Sequence, residues 1–344
     1  MYQFFKNIFL TKGFNRTLVY DSLTSKIHFF PNDLYDQLLL NNFRIDKKNN
    51  EVFEFLNKKG LLQKISDDLV DCFIDLDDEI QIPYDIATLV FELSGSSSKN
   101  LYKLKNQNIL QYNFIFADYT SLKSIELFVD FINECESDTI ELTFLNGFVY
   151  SKHLFELIKS VKKIILLNNF AGIKIDDPST HKNRYLNSWN DIHFRLSINF
   201  INYLESLKHH TYFNKKVFIN KDCEIKNSQE TKEIYGNLNN DNSFDIAKVF
   251  KNPTFKKLWS IKKEDTLVCQ DCEFRRLCVD NRLPIKIKNN WVHEEECNYN
   301  PYISKWSHED GFKSLKELDI ITKNGYLEMN KEKLSLITNE LWEG

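Results

Sequence analysis

Four of the chain's seven cysteines fall in two neighbouring stretches, Cys269-Gln-Asp-Cys272-Glu-Phe-Arg-Arg-Leu-Cys278 and His293-Glu-Glu-Glu-Cys297-Asn-Tyr-Asn-Pro301. Two cysteines separated by two residues can aim both sulfurs at one point from a single tight turn, and Cys278 and Cys297 can return from adjacent loops. Four thiolates so placed make a metal site, because this spacing in a chain without a secretory signal favours metal over a disulfide framework. Thiolate-only ligation suits a structural zinc ion and an iron–sulfur cluster alike. Arg275 and Arg276, inside the loop, favour the thiolate forms electrostatically. His293 is the alternative ligand in a zinc site, set against the blander reading of a solvated side chain in a charged loop. Cys72, Cys135 and Cys223 are scattered through apolar or hairpin-like surroundings, where a free cysteine behaves as a small buried hydrophobe.

Other candidate groups carry less. Ser94-Gly-Ser-Ser-Ser98 could offer backbone N–H groups to a phosphate, yet it lacks the lysine and the glycine spacing of a P-loop and reads as a turn. His209 and His210 are adjacent, and adjacent strand residues face opposite ways, so the pair does not chelate one ion. No Ser-His-Asp, paired-carboxylate or Cys-His arrangement stands out from ordinary surface polarity.

The elements that position the cysteines read as three segments. Arg16–Asp21 and Lys26–Phe30 form a hairpin. Pro31-Asn-Asp-Leu34 starts a helix bearing Leu34, Leu38 and Leu39, and a second helix over Asn50–Lys59 ends at Gly60. Leu61–Lys64 and Val70–Asp75 read as edge strands. From Tyr84, strand-like runs at Ile86–Leu93, Asn113–Ala117, Thr139–Phe144, Lys163–Leu167 and Asp191–Arg195 alternate with helical stretches at Leu122–Glu134 and Lys152–Val161. That alternation indicates a parallel α/β sheet or partial barrel. A hairpin over 212–226 and a short helix over Phe244–Phe250 precede the Cys motif, and Leu315, Leu318, Leu334, Leu336 and Ile337 suggest docked helices behind it.

The chain has 344 residues, 42% of them hydrophobic, with 28 Phe and 15 Tyr, enough for a sizeable core in two or three domains. A net charge of −4 supplies no basic field for nucleic acid. No apolar run approaches the roughly 20 residues that span a bilayer, and Met1–Leu10 is not a signal peptide. The expectation is a cytoplasmic protein with no membrane partner, in a compartment that keeps thiols reduced for metal.

The pattern Cys-x2-Cys-x5-Cys with a later Cys resembles the C-terminal SPASM domain of radical-SAM peptide-modifying enzymes, which holds two auxiliary [4Fe-4S] clusters. Cys269, Cys272, Cys278 and Cys297 match the ligands of the second. This chain has Arg282 where the motif's next Cys is expected, so the first auxiliary cluster has lost its ligands. Cys272 to Pro284 and Cys297-Asn-Tyr-Asn-Pro-Tyr-Ile-Ser-Lys-Trp306 look like the signature of the SPASM-domain maturases of grasp-with-SPASM systems. The specific motif covers about 40 residues, while a weaker likeness in layout runs through the whole chain.

The resemblance implies a winged-helix-like peptide-recognition domain over 1–83, a degenerate radical-SAM-like partial barrel over 84–211, and a SPASM-like domain with the metal site and C-terminal helices over 212–344. It also implies one [4Fe-4S] cluster, a precursor peptide and an ATP-grasp ligase as partners, and a role in peptide maturation. The radical-SAM trio Cys-x3-Cys-x2-Cys is missing from the loop after the first barrel strand, so no S-adenosylmethionine chemistry is expected. The alternatives are a stand-alone iron–sulfur redox enzyme acting on a peptide and a structural zinc-binding interaction protein. The peptide-binding surface is expected near Tyr20 to Phe30, with anchors from Leu34 to Leu39, and distant from the Cys site.

Overall fold

The computed structural model describes residues 2–41, 43–45, 50–66, 83–116, 122–137, 139–145, 156, 164–168, 182–184, 195–240, 245–320 and 330–342. It is a mixed α/β structure whose residues group into two compact units. One comprises Met1–Ile80, Phe194–Thr211 and Ile261–Gly344; the other comprises Gln81–His193 and Tyr212–Ser260.

The chain opens with β1 (Tyr2–Phe4), β2 (Ile8–Lys12), β3 (Arg16–Asp21), β4 (Lys26–Pro31), α1 (Asn32–Leu40), β5 (Arg44–Ile45), α2 (Asn50–Lys58) and β6 (Leu62–Lys64). Strands β2, β3 and β4 make an antiparallel meander, and β1 lies between β5 and β6. The β3–β4 turn is fixed by Asp21, whose carboxylate accepts from Leu23 N and Thr24 Oγ1. Gly60 ends α2 at φ +70°, where only glycine is unstrained, and Leu61 N closes on Leu56 O. The alternation along β3 sends Val19 into a core with Phe30, Leu38, Ile45, Phe53 and Leu56. Leu18 and Tyr20 point to the opposite face, into a core with Tyr203, Leu204, Phe274, Leu277 and Tyr299. A central strand buried on both faces cannot belong to a self-contained N-terminal cap.

The second unit is built on β7 (Ile86–Leu93), β8 (Ile109–Phe116), α3 (Leu122–Glu134), β9 (Thr139–Phe144), β10 (Ile164–Asn168) and β11 (Lys182–Arg184). The chain then passes through β12 (Arg195–Leu196) and α4 (Phe200–Lys208) in the first unit. It returns for β13 (Lys216–Ile219), β14 (Glu224–Lys226), β15 (Gly236–Asn237) and α5 (Ile246–Phe250). The eight-stranded sheet runs β11-β10-β9-β8-β7-β13-β14-β15, with β11 through β13 parallel and the last two antiparallel. One face is aromatic and closes on α3, where Phe114 meets Phe128 and Phe131 edge-on.

The last elements, all in the first unit, are β16 (Cys278–Val279), β17 (Pro284–Ile287), β18 (Asn290–His293), β19 (Tyr299–Asn300), β20 (Lys305–Trp306) and α6 (Lys331–Trp342). Leu315, Leu318 and Leu334 are buried around Tyr302, whereas Leu336 is exposed.

The two-unit division differs from the expected segments 1–83, 84–211 and 212–344. The hairpin at 216–226 adds to the parallel sheet, with Lys216 in register with Thr88 and Val217 with Leu89. It therefore belongs with the unit built on the parallel sheet rather than with the Cys motif. Arg195 and Leu196 pair with Val279 and Cys278, so residue 195 serves the first unit rather than the parallel sheet. Cys72, the strand expected at 70–75, residues 191–194 of the strand expected at 191–195, and most of the helix expected at 152–161 lie outside the described residues.

Candidate metal centre

Cys269 and Cys272 come from one tight turn. Gln270 N bonds Thr266 O at 2.9 Å, Asp271 N bonds Val268 O at 3.1 Å and Cys272 N bonds Cys269 O at 3.0 Å. Val268 enters this turn at φ 71°, ψ −51°. A β-branched residue held there costs of order 1–3 kcal/mol and persists only where its surroundings over-determine it. Cys278 is placed by β16, whose pairing with β12 is reinforced by Thr211 Oγ1 donating to Cys278 O at 2.6 Å. Cys297 follows the β17–β18 hairpin, and the Tyr299 main-chain N–H bonds its thiol.

The structure brings all four sequence-identified cysteines to one cavity of about 20 Å³, which Lys263, Arg275 and Arg282 also line. None of the four is in a disulfide. Burial pushes the Cys272 and Cys278 thiols well up, and the neighbouring acidic and thiol groups add to the shift at both. Burial likewise raises Cys297 to about 11, against the pull of Arg282. Clustered thiols of this kind hold their protons until a cation displaces them. Arg275 donates Nη1 to Lys12 O and Cys272 O at 2.7 and 2.9 Å, while its buried Nε has no hydrogen-bond partner. An all-sulfur donor set ringed by cations, one with an unmet donor, fits a group that carries net negative charge once bound by four thiolates.

Among the described residues, one set of three ligand-type side chains has its donor atoms all within 4.8 Å of one another: Cys269, Asp280 and His293. The cation already there is Lys263, whose Nζ lies 2.6 Å from Asp280 Oδ2 and 3.1 Å from His293 Nε2. Arg282 adds a forked pair to the same carboxylate, Nε to Oδ1 at 2.9 Å and Nη2 to Oδ2 at 2.6 Å. Burial alone would raise the Asp280 carboxyl, but Lys263 and Arg282 hold it well below its ordinary range. His293 is pushed well down, by burial first and then by Lys263. It is thus engaged in this charge cluster.

The remaining candidates disperse. Arg276 turns away from the cavity, donating Nη1 to Ser206 O at 2.9 Å and pairing with Glu264. His209 caps the C-terminus of α4. His210 is buried and held well below its ordinary value, by burial first and then by Lys263. Cys223, in the second unit, accepts from Asn100 Nδ2 at 3.2 Å. Ser94–Ser98 bonds inward, with Ser97 Oγ accepting from Ser94 N and donating to Glu92 O. Lys263, Asp280 and the partners of Glu273 had no sequence signal, since single charged residues in a polar stretch look like surface.

No protein-family model matches the chain, and no curated protein matches it. Among the solved structures with a loose likeness are two of BtrN. The selenomethionine form of BtrN in an open conformation is 11% identical with a TM-score of 0.31, covering 54% of this chain and 92% of BtrN. BtrN in complex with AdoMet and 2-DOIA is 9% identical with a TM-score of 0.34, covering 60% and 96%. Likeness at that level carries no argument about fold or chemistry. No helix among the described residues is long and apolar enough to cross a membrane.

Proposed function

We propose that the chain is an iron–sulfur protein of peptide maturation, resembling the SPASM-domain maturases that work beside an ATP-grasp ligase, with one [4Fe-4S] cluster on Cys269, Cys272, Cys278 and Cys297. The observation that carries the metal reading is the convergence of these four unbridged cysteines on one cation-lined cavity. The likeness of this ligand set to that of the second auxiliary cluster favours a cluster over zinc. When bound, the cluster supplies electron transfer or Lewis acidity, and Arg275, Lys263 and Arg282 offset its charge. The loop after β7 holds no cysteine, so S-adenosylmethionine cleavage is not part of this reading. Anaerobic purification with an optical spectrum and iron, sulfide and zinc analysis tests it. A brown protein with stoichiometric iron and sulfide is expected; a colourless one with stoichiometric zinc overturns the cluster assignment. Retention of all metal by Cys297→Ser would refute the four-ligand set.

The partner reading is a precursor peptide added as a strand to the open edge of β4. In the sheet order β2-β3-β4, this strand has one neighbour among the described residues. Tyr20 is fully buried and Leu38 nearly so, which removes both from the expected binding surface, whereas Leu39 and Leu40 at the end of α1 are 51% and 85% exposed. The Cys loop lies against this sheet, as the shared core of Leu18, Tyr20, Phe274 and Tyr299 demonstrates, so deleting residues 1 to 83 would strip the core behind the loop and is not a clean test. Titrating labelled precursor peptide into wild type and Leu40→Glu is the better one: weakened binding with unchanged metal content is expected, and equal affinity removes this surface from the proposal.

A further inference from the structure

The turn between β2 and β3, residues 13–15, reaches both arms of the Cys site. On the first arm, Phe14 N donates to Asp271 O at 2.7 Å. Arg275 Nη1 bridges Lys12 O and Cys272 O. Arg16 Nε donates to Glu273 Oε1 at 2.6 Å, and Tyr299 Oη donates to the same oxygen at 2.5 Å. Glu273 follows Cys272 directly and is 1% exposed. Buried this deeply, a carboxylate requires its cation. On the second arm, Asn15 Nδ2 donates to Pro301 O at 3.1 Å and Tyr302 O at 2.8 Å, while Arg16 Nη2 reaches Tyr299 Oη at 3.2 Å. Gly13 packs so tightly that a Cβ there would stand 2.8 Å from Glu273 N and Cβ. Any other residue would push the backbone beside Cys272.

We propose that this N-terminal turn forms the outer wall of the metal site. Arg16 and Gly13 act as positioning residues that hold the Cys272 arm, through Glu273, against the Cys297 arm, through Tyr299. Metal occupancy and order in the β2–β4 sheet then strengthen each other, since coupling between two binding or ordering events is reciprocal. The inference rests on the reading that the four cysteines hold metal, and it adds a route by which the loaded site would set the sheet edge proposed for the peptide.

The test uses the full chain, loaded anaerobically with iron and sulfide and, in a separate arm, with zinc alone. Metal loss to excess EDTA is followed by absorbance and elemental analysis. Loss from Arg16→Met and Gly13→Ala should be about ten- to hundredfold faster than from wild type, the range for residues that orient metal ligands, and Arg16→Lys should recover part of it. Leu104→Ala, fully buried in the second unit, controls for general stability: it should lower the melting temperature of that unit and leave the loss rate unchanged. Deuterium uptake over residues 8–31 should rise on metal removal while uptake over 86–93 stays constant. Wild-type loss rates in both Arg16→Met and Gly13→Ala, or unchanged uptake over 8–31, would overturn the proposal. A wild-type chain that takes up no metal under either loading overturns the metal reading itself, and this inference with it.

Discussion

Lys263 and Lys216 are two buried lysines, 4% and 8% exposed, one in each compact unit, and they occupy opposite electrostatic states. Burial works to lower both. At Lys263 the Asp280 carboxylate 2.6 Å away overcomes it and raises the ammonium above its ordinary value. At Lys216 burial prevails against Glu230 and Glu141, and the value falls from 10.5 to about 8. Its Nζ stands 3.3 Å from the centroid of the Tyr212 ring, and no carboxylate among the described residues is within ion-pair distance of it. A cation over a ring recovers about 0.5–2 kcal/mol, less than the several kcal/mol of taking an ammonium out of water. Depth is the same; the partner decides the sign. The fully paired cluster lies beside the cysteines, where fixed positive charge has a use.

The comparison breaks most severely at the carboxylate that Lys263 and Arg282 share. Asp280→Asn leaves two buried cations uncompensated and should destabilise the first unit by about 3–5 kcal/mol in chemical denaturation. An unchanged denaturation midpoint would mean that the cluster is far more hydrated than its burial implies.

The two lysines should respond oppositely to removal. Lys263→Met leaves Asp280 with Arg282 alone and should cost about 1.5–3 kcal/mol, the worth of hydrogen bonds to charged groups. Lys216→Met, of similar length and no charge, should stabilise by about 1–2 kcal/mol at pH 7, because it removes a desolvation cost of roughly 3 kcal/mol and gives up the ring contact. Denaturation midpoints shifting in the same direction would erase the distinction.

The pH dependence sharpens it further. Between about pH 8 and pH 10.5 the unfolded chain still binds a proton that folded Lys216 has released, so this group makes stability rise with pH across that window. Lys263, raised on folding, contributes fully below its unfolded value and loses that contribution as pH rises through the folded one. Asp280, depressed on folding, contributes above its unfolded value and loses it as pH falls through the folded one. Comparing wild type with Lys216→Met from pH 7.5 to 10.5 should show the gain from substitution shrinking toward zero. The smallest effect belongs to Lys12→Ala, which removes an ion pair to Asp36 between side chains 38% and 53% exposed. It should change stability by less than about 0.5 kcal/mol and disappear in high salt.

Much of this protein was legible locally. The strands at Ile86–Leu93 and Thr139–Phe144 announce themselves as β-branched and aromatic runs between turn residues. The stop at Gly60 and the hairpin from Arg16 to Pro31 follow from turn chemistry within a few residues. The cysteine spacing pointed to the cavity that the four cysteines line, because a two-residue gap constrains two sulfurs whatever the rest of the chain does.

What the tertiary structure alone decided is which distant segments meet. Arg16 finds Glu273, Asn15 finds Tyr302, and Lys216 takes its place beside Thr88. No local periodicity encodes such partners, since a charged side chain in a polar stretch looks the same in sequence whether it faces water or a buried counter-ion. The division into units was hidden for the same reason. An antiparallel hairpin at 216–226 satisfies its own turn and strand signals wherever it docks, and its register on β7 is set by side-chain burial and main-chain hydrogen bonds that exist only once the sheet has formed.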